Sequence, residues 1–369
     1  MRYLRRSTNL TLGRAFTSSL KMRLDGHQGP AVPHLKNFDL EKYLKMEPSE
    51  NHNLTQFVKA LSNCTVSQLD SGLQLITLPL ETDFPGVLLK SSSRFLYCRS
   101  FYPELLKSIR FRPCTVLLSN PGTGKSMFQW YYLARLLNPD AFKDALTIDL
   151  PEVVIRQVGD IDMDIYFIKA KVVQTVDIHQ KVLECFDPAT TLYFFEPGGS
   201  KREPMWEKTR MSILATCSPE LSRYKEFCKN GARKLYMPLF MEGELLAIGR
   251  HMREQPDFPA ELSDLYSDDN IHQRYIEYGG IIRHVLPDSA DKLMEIRADK
   301  NNAFEGIDWR KYFANPNIES PHISHFVVKY VITPPHFNEV SYDLVSEDAE
   351  LRARAYIKEL IVRDQKAIL

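Results

Sequence analysis

The sequence has no uncharged apolar run approaching the roughly 18 residues that a membrane-spanning helix requires, so no span is expected. Its six cysteines (Cys64, Cys98, Cys114, Cys185, Cys217 and Cys228) include no C-x-x-C pair and no zinc-ligand spacing. Free thiols inside a reducing compartment, cytoplasm or nucleus, are therefore expected. Charge of one sign is not in excess: 47 basic residues balance 47 acidic ones. A nucleic-acid partner would have to be met by a local patch rather than by the whole surface. What remains, 44% hydrophobic residues over 369 positions, is the composition of a globular chain. That length has room for about two domains.

One stretch carries nameable chemistry. Residues 115–126 read T-V-L-L-S-N-P-G-T-G-K-S, and M-F-Q-W-Y-Y-L-A-R-L-L follows at helical spacing. Strand, loop and helix in that order make a phosphate-binding loop, in which the backbone of Asn120, Pro121, Gly122, Thr123 and Gly124 can wrap a polyphosphate. The helix N-terminus adds partial positive charge there. Lys125 would reach the β- and γ-phosphates and the Ser126 hydroxyl would ligate Mg²⁺. Ser119 stands where the pattern G-x-x-x-x-G-K-[ST] has its first glycine, a change that costs little unless the position needs φ > 0.

Other segments supply the partners such a loop needs. T-T-L-Y-F-F-E-P-G-G (Thr190–Gly199) is an apolar strand that delivers an acid, Glu196, at its end, the shape of a Walker B strand with its carboxylate beside the metal. Asp is usual at that point, and no second acid follows, so no general base for water attack is visible. M-S-I-L-A-T-C-S-P (Met211–Pro219) ends in hydroxyls, and Thr216 or Ser218 fits the residue that orients water or touches the γ-phosphate. Between Gly198 and Lys234 lie Lys201, Arg202, Lys208, Arg210, Arg223, Lys225, Lys229, Arg233 and Lys234. A solvated surface accounts for most of these. Arg223 and Arg233 are the candidates for charge-stabilising fingers. In R-Y-I-E-Y-G-G-I-I-R-H-V-L, a helix stopped by Gly279-Gly280 and restarted before Arg283 can aim that guanidinium at a bound triphosphate.

The rest of the chain sets the frame. Residues 1–24 are Arg-rich and acid-free, read as a disordered basic tail, with an organellar (mitochondrial) transit peptide as the second reading. F-D-L-E-K-Y-L-K suggests a short helix and L-Q-L-I-T-L-P-L a strand. Arg94–Arg110 reads as a helix from its aromatic and leucine spacing, and A-L-T-I-D-L, E-V-V-I-R-Q-V and I-Y-F-I-K-A-K-V-V read as strands. Asp160, Asp162 and Asp164 alternate with apolar residues. A Ca²⁺ loop is excluded, because Ile165 and Lys171 stand where its Gly and Glu belong, so the carboxylates are assigned to the wet face of an edge strand. K-L-Y-M-P-L-F is a fifth strand followed by a helix, and a last helix begins at Ser346 as cap. The expected organisation is an N-terminal extension over 1–93, an NTPase core over 94–255 and a mainly helical C-terminal domain over 256–369.

In the order of these signals, S-N-P-G-T-G-K-S, L-Y-F-F-E-P-G, I-L-A-T-C-S-P, Y-M-P-L-F and R-Y-I-E-Y-G-G-I-I-R-H-V-L, the chain resembles the ATPase module of Crinkler effectors. That module is shared with the retrotransposon-hot-spot proteins of trypanosomes and is close to AAA+/STAND NTPases. The resemblance spans roughly residues 94–345. It implies a three-layer α/β P-loop NTPase with a C-terminal helical lid, binding ATP and Mg²⁺. Lys125 and Ser126 would serve phosphate and metal, Glu196 would be the Walker B acid and Arg283 the lid arginine. Three departures accompany it: Ser119 and Glu196 replace the usual Gly and Asp, Ile282 replaces the proline of the family's G-G-[IV]-P-R turn, and neither the secretion header nor a nuclease signature is present. Delivery into a host cell and DNA cleavage are therefore not carried over. The expected function is a Mg-dependent ATPase coupling nucleotide state to conformation or to homo-oligomeric assembly. The alternative is a hydrolysis-deficient nucleotide-held scaffold acting on a host protein or nucleic acid.

Overall fold

The computed structural model describes residues 49–368 apart from residues 80, 86–92, 111–113, 145, 147–149, 161, 179, 200–201, 206–209 and 315–325. The basic start at 1–24, the helix expected in F-D-L-E-K-Y-L-K, most of the strand expected in A-L-T-I-D-L, and Lys201 and Lys208 lie outside the described residues.

The chain opens with β1 (Ser49–Glu50), α1 (His52–Leu61), β2 (Thr65–Gln68), β3 (Gln74–Thr77) and β4 (Phe95–Cys98). Then come α2 (Tyr102–Arg110), β5 (Cys114–Leu118), α3 (Lys125–Leu137), β6 (Val153–Val158), β7 (Asp162–Phe167), β8 (Val172–Asp177) and α4 (Gln180–Glu184). The strands β9 (Thr191–Glu196) and β10 (Ser212–Cys217), helix α5 (Lys225–Lys229) and strand β11 (Arg233–Tyr236) complete the central sheet. Beyond it lie α6 (Glu242–Arg253), α7 (Asp268–Tyr278), α8 (Ile282–Val285), α9 (Ala290–Gly306), α10 (Trp309–Ala314), β12 (Val328–Val331), β13 (Ser341–Leu344) and α11 (Glu347–Ile368). Among the described residues no helix is long and apolar enough to cross a membrane.

The molecule is mixed α/β, built on an eight-stranded, mostly parallel sheet in the order β1-β8-β7-β6-β9-β10-β5-β11. Strands β6, β9, β10, β5 and β11 run parallel to their neighbours in that series. Their sequences explain why: in β5, β9 and β10 almost every position is buried, as both faces of a parallel sheet require. Helix α3 is buried around its whole circumference from Phe128 to Leu137, because it is packed between β10 of the large sheet and β4 of a small antiparallel sheet, β2-β3-β4. Apart from Gln129 and Arg135, both hydrogen-bonded, the buried stretch is apolar all round, as a buried helix is. Trp130 of α3 meets Phe57 of α1 edge to face at 5.1 Å, so α1 closes onto the same core.

Three local expectations change. The segment Arg94–Arg110 is a strand followed by a helix, since Phe95–Cys98 pairs with Gln74–Thr77 before α2 begins. The run Ile165–Val173 is a hairpin, with Lys171 turning at φ 55° between β7 and β8. Cross-strand pairing outranked the periodicity in both cases. As a result β7 is no edge strand, lying between β6 and β8; Asp164 on it is half-buried and accepts a hydrogen bond from Thr175 Oγ1 at 2.7 Å.

Helices α6 to α8 gather a second apolar cluster around Leu245, Ile248, Met252, Tyr266, Ile271 and Leu286. The Gly279-Gly280 turn joins it to the sheet by backbone approach. A Cβ on Gly280 would lie 1.9 Å from Phe240 O, and one on Gly279, at φ 68°, would lie 2.0 Å from Val345 O. Only glycines fit between those two chains. The Phe240 N–H donates to Gly280 O at 3.0 Å across the contact.

Candidate functional site

The loop from Ser119 to Gly124 leaves the carboxyl end of β5, whose neighbours are β10 on one side and β11 on the other. Crevices at the carboxyl ends of parallel strands, where strand order changes direction, are where open α/β sheets take ligands. Gly122 and Gly124 have φ of 76° and 89°, conformations that side chains resist, and Gly124 is the N-cap of α3. Ser119 is not among the positive-φ residues. It is fully buried, and its hydroxyl donates to Met237 O at 2.5 Å. Serine here ties the loop to the strand β11 exit.

Asn120 is also buried, and its side chain holds a different element: Nδ2 donates to Val328 O at 2.8 Å, while Oδ1 accepts from Tyr330 N at 3.3 Å. The Thr123 hydroxyl donates to Asn120 O at 3.0 Å. Pro121 and Gly122 lie between these anchors, half-buried. The ammonium of Lys125 donates to Ser119 O at 3.0 Å and to Asn120 O at 2.8 Å, so it lies back across its own loop. Burial, and then the Arg283 guanidinium, push this lysine down to about 7.

Ser126 and Glu196 meet. The Ser126 hydroxyl donates to Glu196 Oε1 at 2.6 Å, joining the first turn of α3 to the end of β9. Among the described residues no group of three or more His, Cys, Asp or Glu could hold a metal. A hydroxyl and one carboxylate are nonetheless the donor set suited to Mg²⁺, which keeps waters and takes its remaining ligands from phosphate oxygens. Neither the family models nor the curated proteins compared with the chain contain a match to it.

The other expected residues divide. Arg283 crosses the loop: a Cβ on Gly122 would lie 2.8 Å from its Nε, and the Ile282 N–H of α8 donates to Gly122 O at 3.2 Å. Arg223 donates to Glu220 Oε2 at 2.8 Å and to Gly198 O at 3.4 Å, and its charge also acts on Lys125. Thr216 is buried, and its hydroxyl accepts from Gln129 Nε2 of α3 at 2.9 Å. Ser218, one residue past β10, is half-buried. Arg233 stands opposite Thr115, at the amino end of β5, and is not brought to the loop.

Two residues that the sequence reading passed over complete the site. Arg156 of β6 donates through Nη2 to Glu196 Oε2 at 3.4 Å and through Nε to Gln129 Oε1 at 3.2 Å. Their signal was present, an Arg and a Gln each set within an apolar run, V-V-I-R-Q-V and M-F-Q-W-Y-Y. Behind the loop, Arg99 and Glu244 form a buried ion pair at 2.8 Å. Arg99 also donates to Pro238 O at 2.6 Å and Leu239 O at 2.5 Å, and Glu244 accepts from Met241 N at 2.8 Å, so the charges are fully partnered.

Proposed function

We propose that this chain is a Mg-dependent ATP-binding P-loop NTPase of the Crinkler and retrotransposon-hot-spot kind, an AAA+/STAND-like three-layer core with a C-terminal helical lid. The observation that carries the reading is the 2.6 Å contact of Ser126 with Glu196, made at the mouth of a Gly-rich loop that also holds Lys125. Supporting it are the parallel order β6-β9-β10-β5-β11 and the Arg283 side chain lying over Gly122. Mg²⁺, when bound with the nucleotide, would screen phosphate charge, held by Ser126 and Glu196.

The chain's own residues would do the rest. Lys125 exchanges its contacts with the Ser119 and Asn120 carbonyls for phosphate oxygens, which favour the charged form of an amine that burial pushes toward the neutral one. Arg283 reaches the same phosphates from α8, and its approach ties α6–α8 to nucleotide state. Arg223 is the second cation available to developing charge. The residue after Glu196 is Pro197, so no adjacent carboxylate is at hand to activate water. That observation favours a second reading, a nucleotide-held scaffold without turnover.

ATP binding and steady-state hydrolysis, measured side by side, test both. Lys125→Ala is expected to weaken Mg·ATP binding at least about a hundredfold, as loss of a buried charge-assisted contact would. Glu196→Gln is expected to retain nucleotide while turnover falls by about two orders of magnitude. Equal binding by wild type and Lys125→Ala would end the nucleotide reading, and binding without turnover in the wild type would select the scaffold.

A further inference from the structure

The carboxylate of Glu196 is engaged at both oxygens. Ser126 takes Oε1 at 2.6 Å, and the Arg156 guanidinium takes Oε2 at 3.4 Å. The two contacts are unequal. Charge-assisted N–H···O bonds run at about 2.7–2.9 Å, so Arg156 guides the carboxylate without locking it.

Arg156 itself is held from several sides. Its Nε donates to Gln129 at 3.2 Å, its guanidinium lies 4.4 Å from the centre of the Trp130 ring, and its side chain is only 13% exposed. Gln129 is fixed in turn by the Thr216 hydroxyl at 2.9 Å. In the sheet, Arg156 stands beside Phe194 of β9 and Asp164 of β7. One guanidinium thus serves two carboxylates, Glu196 of β9 by contact and Asp164 of β7, its partner in the register, through its charge. Burial holds the Asp164 carboxyl above its usual range, and the Arg156 charge acts in the opposite sense.

We propose that Arg156 is a positioning residue for the Ser126–Glu196 pair. It biases the carboxylate toward the orientation used for a divalent cation and, by its charge, competes with free cations for Glu196 Oε2. The proposal rests on the nucleotide reading above for its purpose, but not for its geometry. Its consequence is that a metal arriving with nucleotide phosphate is admitted while the metal alone is discouraged. A fixed positive charge near the carboxylate opposes a free cation, whereas nucleotide phosphate brings the negative charge that offsets it.

The test uses the full chain. Mn²⁺ alone is titrated by electron paramagnetic resonance into nucleotide-free wild type, Arg156→Met and the double variant Arg156→Met/Glu196→Gln. ATP turnover is then followed against Mg²⁺. Arg156→Met is expected to bind Mn²⁺ about tenfold more tightly than wild type, the change that removal of one nearby charge can produce. The double variant is expected to lose that gain. Turnover of Arg156→Met should fall at least about tenfold in kcat with KM for ATP little changed, the pattern of a misoriented group rather than a lost binding contact. Arg156→Lys, which keeps the charge, should stay near wild type for Mn²⁺. Should Arg156→Met not fold, Arg156→Gln carries the same expectation. Mn²⁺ binding no tighter in the folded variant than in wild type, including undetectable binding in both, overturns the proposal and leaves Arg156 as the counter-charge of Asp164. Failure of wild type to bind ATP would sink the nucleotide reading instead, with the Mn²⁺ comparison still deciding the role of Arg156.

Discussion

Lys125 is the residue whose chemistry depends most on what occupies its loop. An ammonium pushed down to about 7 from its ordinary 10.5 is half-neutral near physiological pH. Between about 7 and 10.5 the unfolded chain binds more protons at this position than the folded one, so the free protein gains stability from it as pH rises through that window. A bound polyphosphate reverses the preference, because anionic oxygens favour the charged amine. Mg·ATP binding above pH 7 should therefore take up a proton, and its affinity should weaken by up to about tenfold per pH unit from 7 to 9. Isothermal titration in buffers of different ionisation enthalpy measures the uptake. Lys125→Arg, whose guanidinium does not deprotonate, should abolish the pH dependence. A pH-independent affinity in wild type, with no proton exchanged, would show either that Lys125 does not meet phosphate or that it is already charged in the free protein.

The turn between α7 and α8 is closely hemmed in by backbone on both sides. Gly280→Ala would drive a methyl into Phe240 O at 1.9 Å and strain the Phe240 N–H bond to Gly280 O. A loss on the order of 3 kcal/mol is expected, read as a lowered urea midpoint at unchanged slope. Gly306→Ala, at the end of α9 with nothing within 4 Å of the new methyl, is the control and should change stability by less than about 1 kcal/mol. Equal midpoints for the two variants would contradict the close approach. The sequence announced this turn through its paired glycines and announced β5, β9 and β10 through their apolar runs, since those signals are local. It did not announce the β7–β8 hairpin or the β4 strand, whose existence depends on partners distant in the chain. The same holds for the site. Ser126, Lys125 and Glu196 were legible from motif spacing, whereas Arg156 and the Arg99–Glu244 pair become meaningful only once separate strands and helices meet. Arg233 is the complementary case: composition marked it as basic, and only the register shows that it stands opposite Thr115, at the amino end of β5.

At the scale of the whole molecule, the loop is wired to the carboxyl-terminal third of the chain. Asn120 grips β12 through Val328 and Tyr330, and the Tyr236 N–H at the end of β11 donates to Phe337 O at 2.7 Å. From that hairpin, Val345 meets Gly279, and Ser346 donates to Glu277 O at 2.9 Å. Lys300 of α9 is buried and donates to Glu277 O at 2.8 Å while pairing with Asp348 at 2.7 Å, joining α7, α9 and α11. A ligand that stiffens the loop thus has a route of direct contacts to both hairpin strands and to the start of α11. Mg·ATP at a hundred times its Kd would stabilise the fold by about 2.7 kcal/mol, and that stabilisation is expected to reach the hairpin. Hydrogen exchange should slow across Val328–Leu344 on nucleotide addition. Asn120→Ala removes the grip but keeps the backbone carbonyl that Lys125 uses. It should retain nucleotide affinity within a few-fold and lose about 1–3 kcal/mol of stability from the unpaired β12 groups. It should also erase the slowing in the hairpin while preserving it in the loop and α3. Unchanged exchange of Val328–Leu344 in nucleotide-loaded wild type would reduce the hairpin to a packed neighbour. Slowing that survives Asn120→Ala would move the coupling to the second route, from Arg283 through the Gly279-Gly280 turn.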